Sequence, residues 1–177
     1  MNMTPESAKA LASFFLADWE RERNTTRNVI AAVPADKPEW KPDDKSMGAL
    51  YLAYHIASAD EFFLNGVANR AFNPGGDPGL PENIKTPQDV VTYYDESFSK
   101  AAASVAAMTG EQLAEPVDFF GMMKVPNVIY LSLGLKHMVH HRGQLSTYLR
   151  PMGGKCPSIY GPSADVTMEM LAAGQGA

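Results

Sequence analysis

The sequence predicts an all-α fold, a four-helix bundle with long connecting loops in one domain spanning residues 1–177. Three observations carry that expectation. Four segments, near residues 4–32, 46–69, 86–109 and 126–150, place apolar residues near helical spacing. Stretches rich in proline and glycine separate them. No segment shows the apolar–polar alternation of a half-buried strand.

The first helix starts at Thr4, a good N-cap, followed by Pro5 and Glu6, which suit the first turn. Leu11, Phe15, Trp19, Val29 and Ile30 mark its apolar side, and Pro34 ends it. Pro34, Pro38 and Pro42 make the next stretch a loop, which Trp40 is expected to pin to the bundle. Ser46 is the expected cap of the second helix, in which Leu52, His55, Ala59, Phe62 and Phe63 fall on one broad face. That periodicity points His55 inward. Residues 70–85, with Pro74, Gly75, Gly76, Pro78, Gly79 and Pro81, form the longest irregular segment, a length common in lids and binding loops.

Thr86-Pro87-Gln88-Asp89 opens the third helix, with Val90, Val91, Tyr94, Phe98, Ala101 and Val105 inward, and Thr109-Gly110 stops it. Val117 to Met123 reads as a short extended or turn segment at one end of the bundle. The fourth helix starts near Pro126 or Asn127, with Leu131, Leu135, Met138, Leu145 and Leu149 as its stripe. After Pro151 the remainder, 151–177, is irregular, with one short helix expected at Asp165 to Ala173.

Bulk properties narrow the function. A net charge of −5 and the lack of a basic block argue against nucleic-acid binding. The single cysteine, Cys156, rules out an internal disulfide and fits a reducing compartment. No signal peptide and no apolar run of membrane-spanning length is read, so a cytoplasmic protein is expected, without a membrane partner.

The chemistry concentrates in Lys136-His137-Met138-Val139-His140-His141-Arg142-Gly143-Gln144, which holds three of the chain's four histidines. His137 and His141 stand one turn apart on the same helix face, a spacing at which two imidazoles hold one metal ion and need a third ligand from elsewhere. The remaining histidine, His55, lies mid-helix far upstream. Spacing alone leaves two readings open: a three-histidine metal site, or part-exposed histidines that carry no ligand. Three histidines without a fourth protein ligand would be an open site completed by water or substrate. The H-E-x-x-H peptidase signature is absent, because Met138, Val139 and His140 fill the gap. His140 points elsewhere by its angle. Cys156 reads as an ordinary loop residue rather than a catalytic thiol, Asp60 and Glu61 as helix-surface charges, and the methionines mostly as core filling. Nothing in the sequence supports Asp118 as an outer partner of the site.

His55 in an amphipathic second helix, followed downstream by His137-x-x-x-His141-Arg142-Gly143-Gln144-Leu145, resembles the DinB-like superfamily of metal-binding four-helix bundles. The likeness runs from the first helix to the segment Pro157 to Ser163. It implies an up-down-down-up bundle and a divalent metal, zinc or nickel, on His55, His137 and His141. It implies no DNA binding. Characterised relatives include isomerases and S-transferases that use low-molecular-weight thiols, and homodimers are common. Arg142 and Gln144 belong to the same stretch; Arg142 is expected in a buried ion pair or as a packing anchor. Two functions follow as expectations. One is a metal-dependent enzyme acting on a small molecule by thiol S-transfer or hydrolysis, with a metal-activated water or thiol as nucleophile. The other is a non-catalytic, stress-related metal protein whose ion mainly ties the second helix to the fourth.

Overall fold

A computed structural model describes residues 3–73 and 79–174. Pro74, Gly75, Gly76 and Pro78 of the long loop, and the end of the tail, lie outside the described residues. The helices are α1 (Pro5–Ala31), α2 (Ala49–Asn69), α3 (Pro87–Ala106), α4 (Gly110–Ala114), α5 (Ile129–Leu149) and α6 (Met168–Ala172), with strands β1 (Pro116–Phe119) and β2 (Met123–Pro126) before α5. The four long helices are those the sequence predicts. Both α1 and α2 pack against α3 and α5, so the order around the bundle is α1–α3–α2–α5.

Caps explain most boundaries. The Thr4 hydroxyl accepts from Ser7 N–H at 3.2 Å, and Thr86 and Asp89 form a reciprocal capping box. Ser46 is not the cap of α2. Its hydroxyl donates to Asp43 at 2.7 Å, and α2 starts at Ala49 behind Gly48. The loop replaces a side-chain cap: Ala49 N–H donates to Trp40 C=O and Leu50 N–H to Pro38 C=O, at 2.8 and 2.9 Å. Trp40 meets Tyr148 edge-on at 5.3 Å, the pin that the sequence predicts. Thr109 ends no helix; it caps the short α4 with a second capping box through Gln112. The fourth long helix starts at Ile129 rather than at Pro126 or Asn127, which close β2 and the turn after it.

Val117 to Met123 lies in an antiparallel hairpin, Val117 opposite Val125 and Phe119 opposite Met123. Its turn places both Phe120 (φ 57°) and Gly121 (φ 72°) in the left-handed region. Two successive left-handed residues make the primed turn that suits the strand twist, closed by Met122 N–H donating to Phe119 C=O at 3.0 Å within a three-residue loop, and the conformation is costly for phenylalanine.

α2 is buried over most of its circumference. Ala53, Ile56, Ala57, Leu64 and Val67 face the core, and Asp60 lies among them, 1 % exposed. The expectation that Asp60 is a surface charge is therefore wrong. Neither of its oxygens has a hydrogen-bond partner of ordinary geometry. Burial pushes its carboxyl well above the usual carboxylate range, and the nearby Tyr94 hydroxyl and Arg142 guanidinium offset only part of that push.

Two contacts fix α5. Trp19 Nε1 donates to Leu131 C=O at 3.1 Å across the core. Gly134 lets α5 come close to its neighbours: a Cβ there would lie 2.7 Å from Phe63 Cβ and Cγ and 2.8 Å from Trp19. Gly134→Ala should therefore destabilise the protein by about 1–3 kcal/mol in denaturant unfolding.

Asp60 yields a second expectation. The folded state keeps this proton past the pH near 3.8 at which an ordinary Asp releases it. The resulting stability is complete below that pH and is lost as pH rises toward the raised folded value. Urea unfolding across about pH 4–8 should show Asp60→Asn gaining on the wild type as pH rises. Parallel stability profiles would refute the assignment.

Candidate metal centre

His55 comes from α2, and His137 and His141 from successive turns of α5. The direct packing of α2 on α5 brings them together. One ligating atom from each lies within 4.8 Å of the other two. The ring centroids are 5.1 Å apart for His55 and His137, 4.6 Å for His55 and His141, and 4.3 Å for His137 and His141. The sequence-predicted trio thus meets. Among the described residues no cysteine, aspartate or glutamate joins it.

One expectation about its setting needs correction. All three histidines are half-buried rather than interior. The core-facing side of α2 carries Asp60, Ala57 and Leu64, and His55 falls on the opposite side of the helix. Almost the whole helix is apolar, so periodicity alone does not single out one face. The trio therefore sits on a rim between α2 and α5.

The local chemistry suits a cation. Burial first, then the neighbouring imidazoles, lowers the pKa of His137 to about 4. Burial also lowers that of His141, with Gln144 acting in the opposite direction. Both rings are consequently neutral near pH 7, the form that ligates metal. His141 Nδ1 is 2.8 Å from Gln144 Oε1. A carboxamide oxygen only accepts, so Nδ1 carries the proton and Nε2 keeps its lone pair. His137 Nδ1 is buried and has no hydrogen-bond partner. An orphaned imidazole nitrogen inside a three-histidine group fits a metal ligand set.

The surroundings are aromatic on one side. Phe63 lies 5.6 Å from His137 and stacks on Phe119 of the hairpin at 6.1 Å. On the other side Arg142, next to His141, is 1 % exposed. Its guanidinium donates to Glu22 at 2.5 Å, to Thr26 at 3.1 Å and to the Tyr160 hydroxyl at 2.6 Å. The buried ion pair expected for Arg142 is thus present, and it fastens α5 to α1 and to the C-terminal segment. These contacts commit both terminal nitrogens of the guanidinium within the fold.

The remaining candidates lie elsewhere. His140 is exposed, as its angle predicts. Asp118 accepts from Gly121 N–H at 2.9 Å and shapes the hairpin turn. Burial raises the Cys156 thiol pKa, which makes it a poor nucleophile. Sequence reasoning left Gln144 without a role and took Glu61 for a surface charge. Gln144 sits three residues after His141, a spacing that places the two on neighbouring helix positions. Glu61 accepts a short hydrogen bond from Tyr93 of α3, for which the sequence carries no local signal.

Proteins of known structure share this arrangement of helices, and others are similar in sequence. YjoA of Bacillus subtilis is 30 % identical over 146 residues, covering 81 % of this chain and 89 % of that protein. YrdA of the same organism is 24 % identical over 151 residues, covering 85 % and 89 %. The crystal structure of a DinB-like protein from Bacillus cereus superposes with a TM-score of 0.70 at 23 % identity, covering 90 % of this chain and 100 % of that one, a likeness of fold. The crystal structure of the DinB-like YjoA gives 0.66 at 26 % identity, covering 82 % and 96 %. The DinB family model itself matches residues 6–170, from the first turn of α1 to α6. With the fold, both histidine-bearing helices and the Arg142–Gln144 stretch inside that match, the chain belongs to the DinB family.

Proposed function

We propose that the protein is a metal-dependent enzyme acting on small molecules, with His55, His137 and His141 holding one divalent ion. The observation that carries this reading is the donor set: three imidazoles and no fourth protein ligand among the described residues, on a half-buried rim. Three-ligand sites are the pattern of catalytic ions, four-ligand sites of structural ones. When bound, the ion supplies Lewis acidity, which lowers the pKa of a water or a thiol; the reaction is then hydrolysis or thiol S-transfer.

The chain's own groups do the rest. Gln144 orients the His141 ring and fixes its tautomer. The stacked Phe63 and Phe119 rings give the site an apolar wall on one side. Arg142 keeps α5 from rotating about its axis, which holds His137 and His141 toward α2. Zinc or nickel is the ion we propose, since imidazole suits both. A low-molecular-weight thiol cosubstrate, a homodimer and a cytoplasmic location complete the proposal.

The competing reading is a non-catalytic metal protein. It draws support from the ligands coming from two helices, because an ion there would also cross-link α2 and α5. Turnover separates the two. Elemental analysis should find near-stoichiometric metal in the wild type and none in His137→Ala, with thiol-transfer or ester-hydrolysis activity lost alongside it. Activity in a metal-free variant sinks the enzyme reading, and strong chelator destabilisation without turnover on any substrate favours the structural one. Gln144→Leu should weaken metal affinity roughly 10–100-fold in competition with a chelating dye, with little change in helix content.

A further inference from the structure

A second feature lies on the same side of α2 as His55. Ser58, Glu61, Phe62, Asn65, Asn69 and Asn73 line a cavity of about 270 Å³. Ser58 stands one turn beyond His55, and its hydroxyl donates to His55 C=O at 3.3 Å. Glu61 is six residues on, about 9 Å along the helix axis. The chain folds back over α2 to make the far wall. Arg70 adopts φ 56° and Ala71 N–H donates to Gly66 C=O at 3.0 Å. Gly66 permits this, since a Cβ there would lie 2.1 Å from the Phe72 ring.

The lining has a definite chemical preference. Glu61 is the only ionisable group among the described lining residues. Its Oε2 accepts from the Tyr93 hydroxyl, whose ring packs 5.2 Å from that of Tyr54. Its Oε1 has only the Asn65 amide, at the outer limit of 3.5 Å. One carboxylate oxygen is therefore anchored and the other keeps accepting capacity. Arg70, next to the cavity in sequence, has its guanidinium on Glu115 at 2.8 Å. Phe62 adds a ring face, and three carboxamides and a hydroxyl add neutral polar contacts. A carboxylate beside an aromatic face and amides is a cation-recognising set, and it disfavours anions.

We infer that this cavity takes a ligand bearing a primary ammonium group, seated between Glu61 and Phe62. The inference rests on the enzyme reading above and adds the substrate class, a small amine, since the Ser58 hydroxyl at the His55 carbonyl sets the cavity beside the histidine trio.

The test needs no metal. Side-chain amide resonances of Asn65, Asn69 and Asn73 in the full chain are followed during titration with n-butylammonium chloride, sodium butyrate and butan-1-ol. Saturable shifts with butylammonium, at least tenfold weaker for the other two, are expected. Glu61→Gln should weaken butylammonium at least tenfold, and Asn69→Asp should tighten it. Equal binding of butyrate or butanol, or an affinity indifferent to both substitutions, overturns the inference. Metal content separates this result from the fate of the metal centre. Glu61→Gln should keep its metal, whereas His137→Ala should lose metal and still bind butylammonium.

Discussion

The seam between α2 and α5 is the contact on which the rest depends. Gly134 carries no side chain where Phe63 and Trp19 press against α5, so the two helices lie close. One turn further along the same helix stands His137, and a turn beyond it His141. The short seam is what lets His55, on a different helix, share a point with them. A bulkier residue at 134 would move the helix backbone itself, because the atoms it meets are the root of the Phe63 side chain and not a flexible end.

The seam is held laterally by polar contacts that leave little freedom. Trp19 ties α1 to a carbonyl of α5, and Arg142 ties α5 to Glu22, Thr26 and Tyr160. The guanidinium is always charged, so its burial is tolerable only with these acceptors in place. Asp60 meets the same problem differently: with no hydrogen-bond partner of ordinary geometry, its carboxyl is pushed by burial well above the usual carboxylate range, toward the neutral form. The ionisable residues Arg142 and Asp60 are thus buried in one core, the first paired and the second shifted toward its neutral form.

Much of this was legible in the sequence, and the failures have physical causes. The four long helices follow from caps such as Thr4 and Thr86 and from apolar spacing, both local properties. The histidine trio was legible because histidine is scarce and the i,i+4 pair needs a third ligand. The start of α2 is not legible at Ser46, because its capping groups are carbonyls of a preceding loop, which no side-chain pattern reveals. The face of α2 is not legible because an almost uniformly apolar helix has no single stripe, so periodicity places His55 inward and Asp60 outward where the fold does the reverse. Glu61 needed knowledge of Tyr93 on another helix. Such contacts depend on tertiary packing, which periodicity does not encode.

Where the histidines sit along the bundle also sets the kinetics of access. Di-iron helical bundles enclose their ions in the central core, where traffic waits on helices moving apart. Here the three histidines are half-buried between two adjoining helices, so an ion held by them would be reached without the central core opening. Exchange of such an ion would then be uncoupled from the slow opening of the tightly packed core.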